Sequence, residues 1–480
     1  MTIDVLPDVP LLAIFDFYVA ETPKAWYRLV HVCRTWRSIV FGSQCRLNLR
    51  VYCTGSTPVK ETLDIWPLLP IVITVDNYHQ MRSVYNINSA LEHKDRIREL
   101  ILQPVTSWQL RKFFQLAAVR QPFPVLTHLK VRDLGDGPPM DVPASFLGGS
   151  APLLQTLWLD LVPFPGLPGF LLSATHLVDL RLWKIPHSGY ISPWALATSL
   201  ALLTSLKTLH IGFESLNSSR IVRPYQKIQG PFSRMLILPV LTELLFKGAD
   251  EYLEELVARI DAPLLNTLHI TFFKLDRLIF DTLQLMQFIS RTLKFKAHDK
   301  AHVVFSDAEA SVILQLFDRE LKLGVSPRRL SSLAQLCKSP CCQTFIPAVE
   351  RLYITQSKLP KQFDVQSSQW LDLLHSFTAV KNLYISFDFV PFVARALQEI
   401  VGERVTEVLP ALQTLFLEET PPSRPVLGQF VTARRLANLP VAVYRWERSG
   451  MSLTSDRHSI QFVFGIIYYL LLLIFDICVE

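Results

Sequence analysis

Leu154-Gln155-Thr156-Leu157-Trp158-Leu159 is the stretch that decides the fold. Its last three residues alternate. On a short strand Leu157 and Leu159 point to one face and Trp158 to the other. Leu154 turns in from the preceding loop. A unit this short has an apolar edge that it cannot bury alone, and stacking against copies of itself buries that edge.

The copies are present. Upstream stand Ile97-Arg98-Glu99-Leu100-Ile101-Leu102 and Leu126-Thr127-His128-Leu129-Lys130-Val131. Downstream come Leu177-Val178-Asp179-Leu180-Arg181-Leu182, Leu206-Lys207-Thr208-Leu209-His210-Ile211 and Leu241-Thr242-Glu243-Leu244-Leu245-Phe246. Leu265-Asn266-Thr267-Leu268-His269-Ile270 follows. Later copies are Val349-Glu350-Arg351-Leu352-Tyr353-Ile354, Val380-Lys381-Asn382-Leu383-Tyr384-Ile385 and Leu412-Gln413-Thr414-Leu415-Phe416-Leu417. They recur roughly every 23 to 35 residues, the range of leucine-rich repeats. Many open on a proline, and helix-like stretches lie between them at Asn88 to Lys94, Leu110 to Arg120 and Tyr252 to Ile260.

The expected fold is therefore α/β: a leucine-rich-repeat solenoid in horseshoe form over 46–446, behind an N-terminal three-helix segment, 1–45, and ahead of a linker and apolar tail, 447–480. Leu47, Leu49 and Val51 alternate, as do Ile71, Ile73 and Val75. With the helix that follows, 46–95 reads as the capping strands that a solenoid needs at its first end. The spacing breaks over 271–348. Strand candidates there are Leu293-Lys294-Phe295, Val303-Val304-Phe305 and Leu323-Gly324-Val325, with a loop around Leu333 to Ile346. This interval reads as a continuing, degenerate solenoid; a break into two domains is the alternative.

The first forty residues are dense in large apolar side chains. Pro7 suits a helix start. A helix from Val9 to Val19 would align Leu11, Ile14 and Phe15. Thr22 and Pro23 open a second helical run carrying Trp26, Leu29, Val32, Cys33 and Trp36. Such a block either caps its own chain or docks on a partner. With capping strands expected from Leu47 onward, docking is the favoured reading.

The motifs carry a family resemblance. The pair Leu6-Pro7, the apolar helix with Ile14-Phe15, and Val32-Cys33-Arg34-Thr35-Trp36-Arg37 together resemble an F-box. The Asp-Pro-x-x-Trp ending common in that family is replaced by Phe41-Gly42-Ser43-Gln44-Cys45. With the repeats behind it, the chain resembles fungal F-box proteins with leucine-rich repeats. The resemblance implies a substrate-recognition subunit of a Skp/cullin/F-box ubiquitin ligase. Leu6, Pro7, Ile14, Phe15, Val32, Cys33 and Trp36 would then meet a Skp-type adaptor, with a contact inside its own chain as the alternative for Trp36. A protein substrate of unknown identity would sit on the concave strand face, at the variable positions of the repeat. Those positions include His128, Lys130, Trp158, Arg181, His210, His269, Tyr353, Tyr384 and Phe416. The alternative is a leucine-rich-repeat scaffold outside ubiquitin chemistry, its N-terminal helices a cap or its tail a membrane tether.

Composition agrees with a folded interaction protein. Of 480 residues, 50% are hydrophobic and 19% charged, which argues against disorder. The net charge of +6 comes from scattered residues and forms no stripe for nucleic acid. Seven cysteines at irregular spacing suggest no disulfide framework. A reducing compartment, cytoplasm or nucleus, is expected.

No phosphate loop, nucleophile elbow or metalloprotease helix is present, so neither an enzyme nor a cofactor is expected. Cys337, Cys341 and Cys342 cluster without a histidine nearby, and His298 and His302 precede a strand pattern; neither set is expected to bind metal. Phe462 to Phe475 is an unbroken apolar run, extended by Ile477-Cys478-Val479 beyond Asp476. It is short of the roughly 20 residues of a membrane span. A buried final segment and a tail anchor through 462–479 both remain open.

Overall fold

The computed structural model describes residues 6–446, apart from 23, 55–58, 76–81, 216–234, 274–279, 281, 293–298, 317–318, 328, 357–365, 401–404 and 419–426. The apolar tail, Leu293-Lys294-Phe295 and His298 thus lie outside the described residues.

Three helices come first: α1 (Asp8–Glu21), α2 (Trp26–Val32) and α3 (Arg34–Gly42). Then follow β1 (Val51–Thr54), α4 (Val59–Ile65), β2 (Ile71–Thr74), α5 (Arg82–Leu91) and β3 (Ile97–Val105). The next repeats supply α6 (Ser107–Gln115), β4 (His128–Asp133), β5 (Thr156–Asp160), α7 (Leu167–Leu171), β6 (Asp179–Ile185), α8 (Pro193–Leu200) and β7 (Thr208–Phe213). After a short strand β8 (Leu236–Ile237) come β9 (Glu243–Gly248), α9 (Asp250–Val257), β10 (Ile260–Asp261), which pairs with β8, and β11 (Thr267–Phe273). The middle holds α10 (Leu283–Arg291), β12 (Lys300–Phe305), β13 (Ala310–Leu316), β14 (Arg319–Ser326), α11 (Leu330–Cys337) and α12 (Pro340–Gln343). Last are β15 (Arg351–Gln356), α13 (Ser367–Leu374), β16 (Asn382–Ile385), α14 (Val390–Gln398), β17 (Thr414–Glu418), α15 (Gly428–Leu436) and β18 (Ala442–Trp446).

One 16-stranded sheet runs from β1 to β18, parallel except at a single strand. Equivalent repeat positions pair directly: Leu129 with Leu157, Leu157 with Leu180, Leu180 with Leu209, Leu209 with Leu244, Leu244 with Leu268. These leucines are buried under the helices on one face of the sheet, and the alternating residues form its open face. The opening prolines have a structural reason. The amides of Leu126, Leu154, Leu241, Leu265, Val349 and Leu412 each bond to the carbonyl three residues back. In each of these turns proline holds the second position, where its fixed φ suits the bend. The turn swings the first leucine of the unit into the core.

The irregular interval continues the sheet, but out of chain order. β14 pairs with β11, β13 with β14, and β12 with both β13 and β15. Too few residues separate Phe305 from Ala310 for a parallel crossover, so β13 must run backwards. The expected loop around Leu333 to Ile346 is instead mainly helical, α11 and α12. Leu330, Leu333, Ala334 and Cys337 of α11 form its buried stripe.

The N-terminal end departs further from expectation. Strand pairing starts at Val51, and Leu47 and Leu49 are buried in a turn before it. β1 is itself the edge of the sheet, and the helical block covers that edge. The Tyr27 hydroxyl accepts the Tyr52 amide of β1 (3.2 Å), and the Trp26 indole donates to the Arg50 carbonyl (3.1 Å). Trp66 packs edge-on against both rings, with centroids 5.2 and 5.3 Å away. An exposed edge is an aggregation hazard, and here aromatic side chains close it. The helices therefore cap the sheet themselves, and the capping strands expected from Leu47 onward do not relieve them of that role.

Candidate functional interface

The open face is built from three parallel rows. In the central row, register aligns Lys130, Trp158, Arg181, His210, Leu245, His269 and Lys322 across β4 to β14. It continues through Ile313, His302, Tyr353, Tyr384, Phe416 and Tyr444 across β13 to β18. Every substrate-face residue expected from the sequence except His128 lies in this row. His128 lies in the neighbouring row, two residues before Lys130, and faces the same way.

The two halves of the face differ in chemistry. Between β3 and β14 it is a mosaic of charge pairs. Arg50 pairs with Glu99, and His128 lies 3.8 Å from the same carboxylate. Burial, aided by Lys130 and Arg50, lowers the His128 pKa. His210 Nε2 and Glu243 Oε1 are 2.9 Å apart, and His269 Nε2 and Glu320 Oε1 are 2.8 Å apart. Those histidine contacts hold the Glu243 and Glu320 carboxyls below the usual range, against the opposing effect of burial. Glu309, from the β12–β13 turn, accepts the Thr271 hydroxyl (3.1 Å) and pairs with Lys322. Lys130 sits over the Trp158 ring at 5.8 Å. Trp183 lies across Gly212, where an added Cβ would meet the indole at 2.7 Å, and meets His210 edge-on at 5.3 Å.

From β12 onward the row becomes an aromatic ladder. His302 stacks on Tyr353 (4.6 Å), Tyr353 on Tyr384 (4.3 Å) and Tyr384 on Phe416 (4.4 Å), with ring planes within 11°. Tyr444 extends it at 5.8 Å, and Trp446 meets Tyr384 edge-on at 5.5 Å. Because the ring faces are spent on one another, a ligand meets ring edges. Sequence spacing had located Tyr353, Tyr384 and Phe416; it missed His302, Tyr444 and Trp446, because β12 and β18 lack the full repeat.

The residues expected to meet an adaptor separate into two groups. Leu6, Pro7 and Val32 are exposed, and Ile14 and Cys33 are half-buried. Phe15 and Trp36 are buried against each other (4.8 Å), so they hold the three helices together and present no free face. Cys33 also breaks the long second helix expected from the sequence. Its backbone is extended and its sulfur accepts the Trp36 amide, 3.5 Å away. The sequence reading missed Val9 and Phe17, which are exposed, Phe17 by 62%. The signal was there: α1 is apolar on more than one face, and one face cannot serve both the interior and solvent.

Elsewhere, burial raises the pKa of Cys337 and Cys342, so these thiols stay protonated in the core. Among the described residues, no cluster of three His, Cys, Asp or Glu side chains is arranged to hold a metal, and no helix is long and apolar enough to cross a membrane.

No protein-family model matches the chain, and no curated protein matches its sequence. Among solved structures, it is similar to the crystal structure of the leucine-rich repeat-containing protein LegL7 from Legionella pneumophila. That similarity covers 81% of this chain and 98% of the other, at 13% identity and a TM-score of 0.29.

Proposed function

We propose that the chain is a non-catalytic receptor that holds a protein on its open sheet face and attaches through its N-terminal helices to a Skp-type adaptor of a cullin–RING ubiquitin ligase. The attachment rests on one observation above others: α1 is apolar on two faces, and only one is buried. Leu11, Phe15 and Val19 face the interior, while Val9 and Phe17 face outward, and Leu6 just before the helix is exposed too. An unburied apolar helix face suits helix-in-groove recognition. The F-box-like spacing supports that choice of groove. The open face offers charge pairs, imidazoles and ring edges together, a mixture suited to a protein surface.

The test is co-migration of the purified full chain with a purified Skp-type adaptor on size exclusion. The reading requires a complex at about 10 µM. Two separate peaks at that concentration would remove the ligase role.

A second reading has its own support. Tyr27, Trp26 and Trp66 close the sheet edge. A scaffold whose helices serve only as a cap would keep those contacts and bind no adaptor.

A further inference from the structure

The far end of the sheet is built like the near end but has no such cover among the described residues. β18 pairs only with β17 and has no described strand beyond it. Val443 occupies the position that Leu415 holds on β17. Leu415 is fully buried, whereas Val443 is 44% exposed. Tyr444 is 57% exposed, and Leu436 on α15 is 82% exposed. Ala442 N–H donates to Gln413, so by strand alternation the Val443 amide points away from the sheet. A solenoid end with apolar side chains and an open strand edge needs a cap.

The chain itself carries a segment of matching chemistry. It leaves β18 at Trp446 and, after residues 447–461, reaches Phe462 to Phe475, which contains no charged residue. Residues 447–461 span up to about 50 Å when extended, ample to return to the strand they leave. An apolar run of this length is shorter than a bilayer requires and is typical of a buried segment.

We propose that residues 462–475 dock on the β18 end of the sheet and cover Val443, Tyr444 and Leu436. The tail is then the second cap, the counterpart of the helical block on β1. The occupant is this segment of the same chain, held close by direct continuity with the strand it covers.

Hydrogen–deuterium exchange on the full chain in detergent-free buffer tests this. The wild type should show slow exchange in both 442–446 and 462–475. Ile467→Lys combined with Leu471→Lys should speed exchange of the β18 amides at least tenfold and leave β5 to β7 unchanged. Val443→Asp should do the reverse, releasing protection in 462–475. Unchanged β18 exchange in the tail variant overturns the proposal. So does β18 protection that disappears on hundredfold dilution, which would assign the cover to a second copy. Tail protection that arises only with phosphatidylcholine vesicles would assign the segment to a membrane.

Discussion

The two ends of the sheet solve one problem with different degrees of completeness. At β1, the core-facing Val51 and Cys53 are buried and the Tyr52 amide has a hydroxyl partner. At β18, the equivalent Val443 is open, and Leu436 of α15 is exposed. Parallel strands propagate a repeat with no internal reason to stop, so each end depends on sequence that departs from the repeat. The helical block does this at the first end. Capping does not use every apolar side chain of that block. Trp26 and Tyr27 bond to the β1 end of the sheet, and Val9 and Phe17 are exposed.

The largest expected effect is at the closed end. Trp26 is fully buried and bonded to the Arg50 carbonyl, so Trp26→Ala should cost about 3–5 kcal/mol by urea unfolding. Amide protection should fall first in β1 to β3. Uniform loss across all strands would show that the end is not a separable unit.

The middle of the sheet supplies a reference. Asp250, in the first turn of α9, is buried, and that burial, with Glu251 beside it, raises its pKa to about 7. The folded chain therefore keeps a proton that the unfolded chain releases near pH 4. This group's effect on stability is harmless below pH 4 and becomes increasingly unfavourable as pH rises to 7. Asp250→Asn should raise stability at pH 8, by at most about 4 kcal/mol, and flatten that slope. Thermal melts at pH 5 and pH 8 measure it. A wild-type melting temperature rising from pH 5 to 8, with no change in that slope in the variant, would contradict the assignment.

Close to the open end, the buried Arg434 guanidinium donates to the carbonyls of Val405 (3.0 Å), Pro410 (3.3 Å) and Leu412 (3.0 Å). Arg434→Met leaves those acceptors unpaired and should cost about 2–4 kcal/mol, read by urea unfolding and by faster exchange in β17 and β18. Protection in β1 to β3 should not change. If it does, the two ends are coupled through the whole sheet. The smallest effect is Tyr27→Phe, which removes one edge hydrogen bond and should cost about 0.5–1.5 kcal/mol. A neutral result would assign the closure of β1 to packing by Trp26 and Trp66 alone.

What the sequence disclosed follows from where its information is local. Leu157 and Leu159 alternate within one strand, and the proline turn before each unit needs only four residues, so the repeat and its open face were legible. The order of β14, β13 and β12 was not, because it depends on pairing between distant segments. β13 carries Ser311-Val312-Ile313-Leu314 with no repeat signature to mark it. The break between α2 and α3 was hidden because cysteine is not a usual capping residue. The place of Trp36, against the adaptor or within its own chain, stayed open for a related reason, and the structure buries it against Phe15. An apolar stripe shows that a face is buried but does not name what it is buried against.

In the N-terminal block, Trp26 and Tyr27 close the sheet, and the proposed adaptor binding would use the exposed Val9 and Phe17. Calorimetric titration of a Skp-type adaptor into the full chain tests it, with Phe17→Glu compared with wild type. The account predicts binding at about 10 µM or tighter in the wild type and a loss of at least tenfold in Phe17→Glu, at unchanged urea stability. Wild-type binding that Phe17→Glu leaves intact, or no wild-type binding at all, would contradict it.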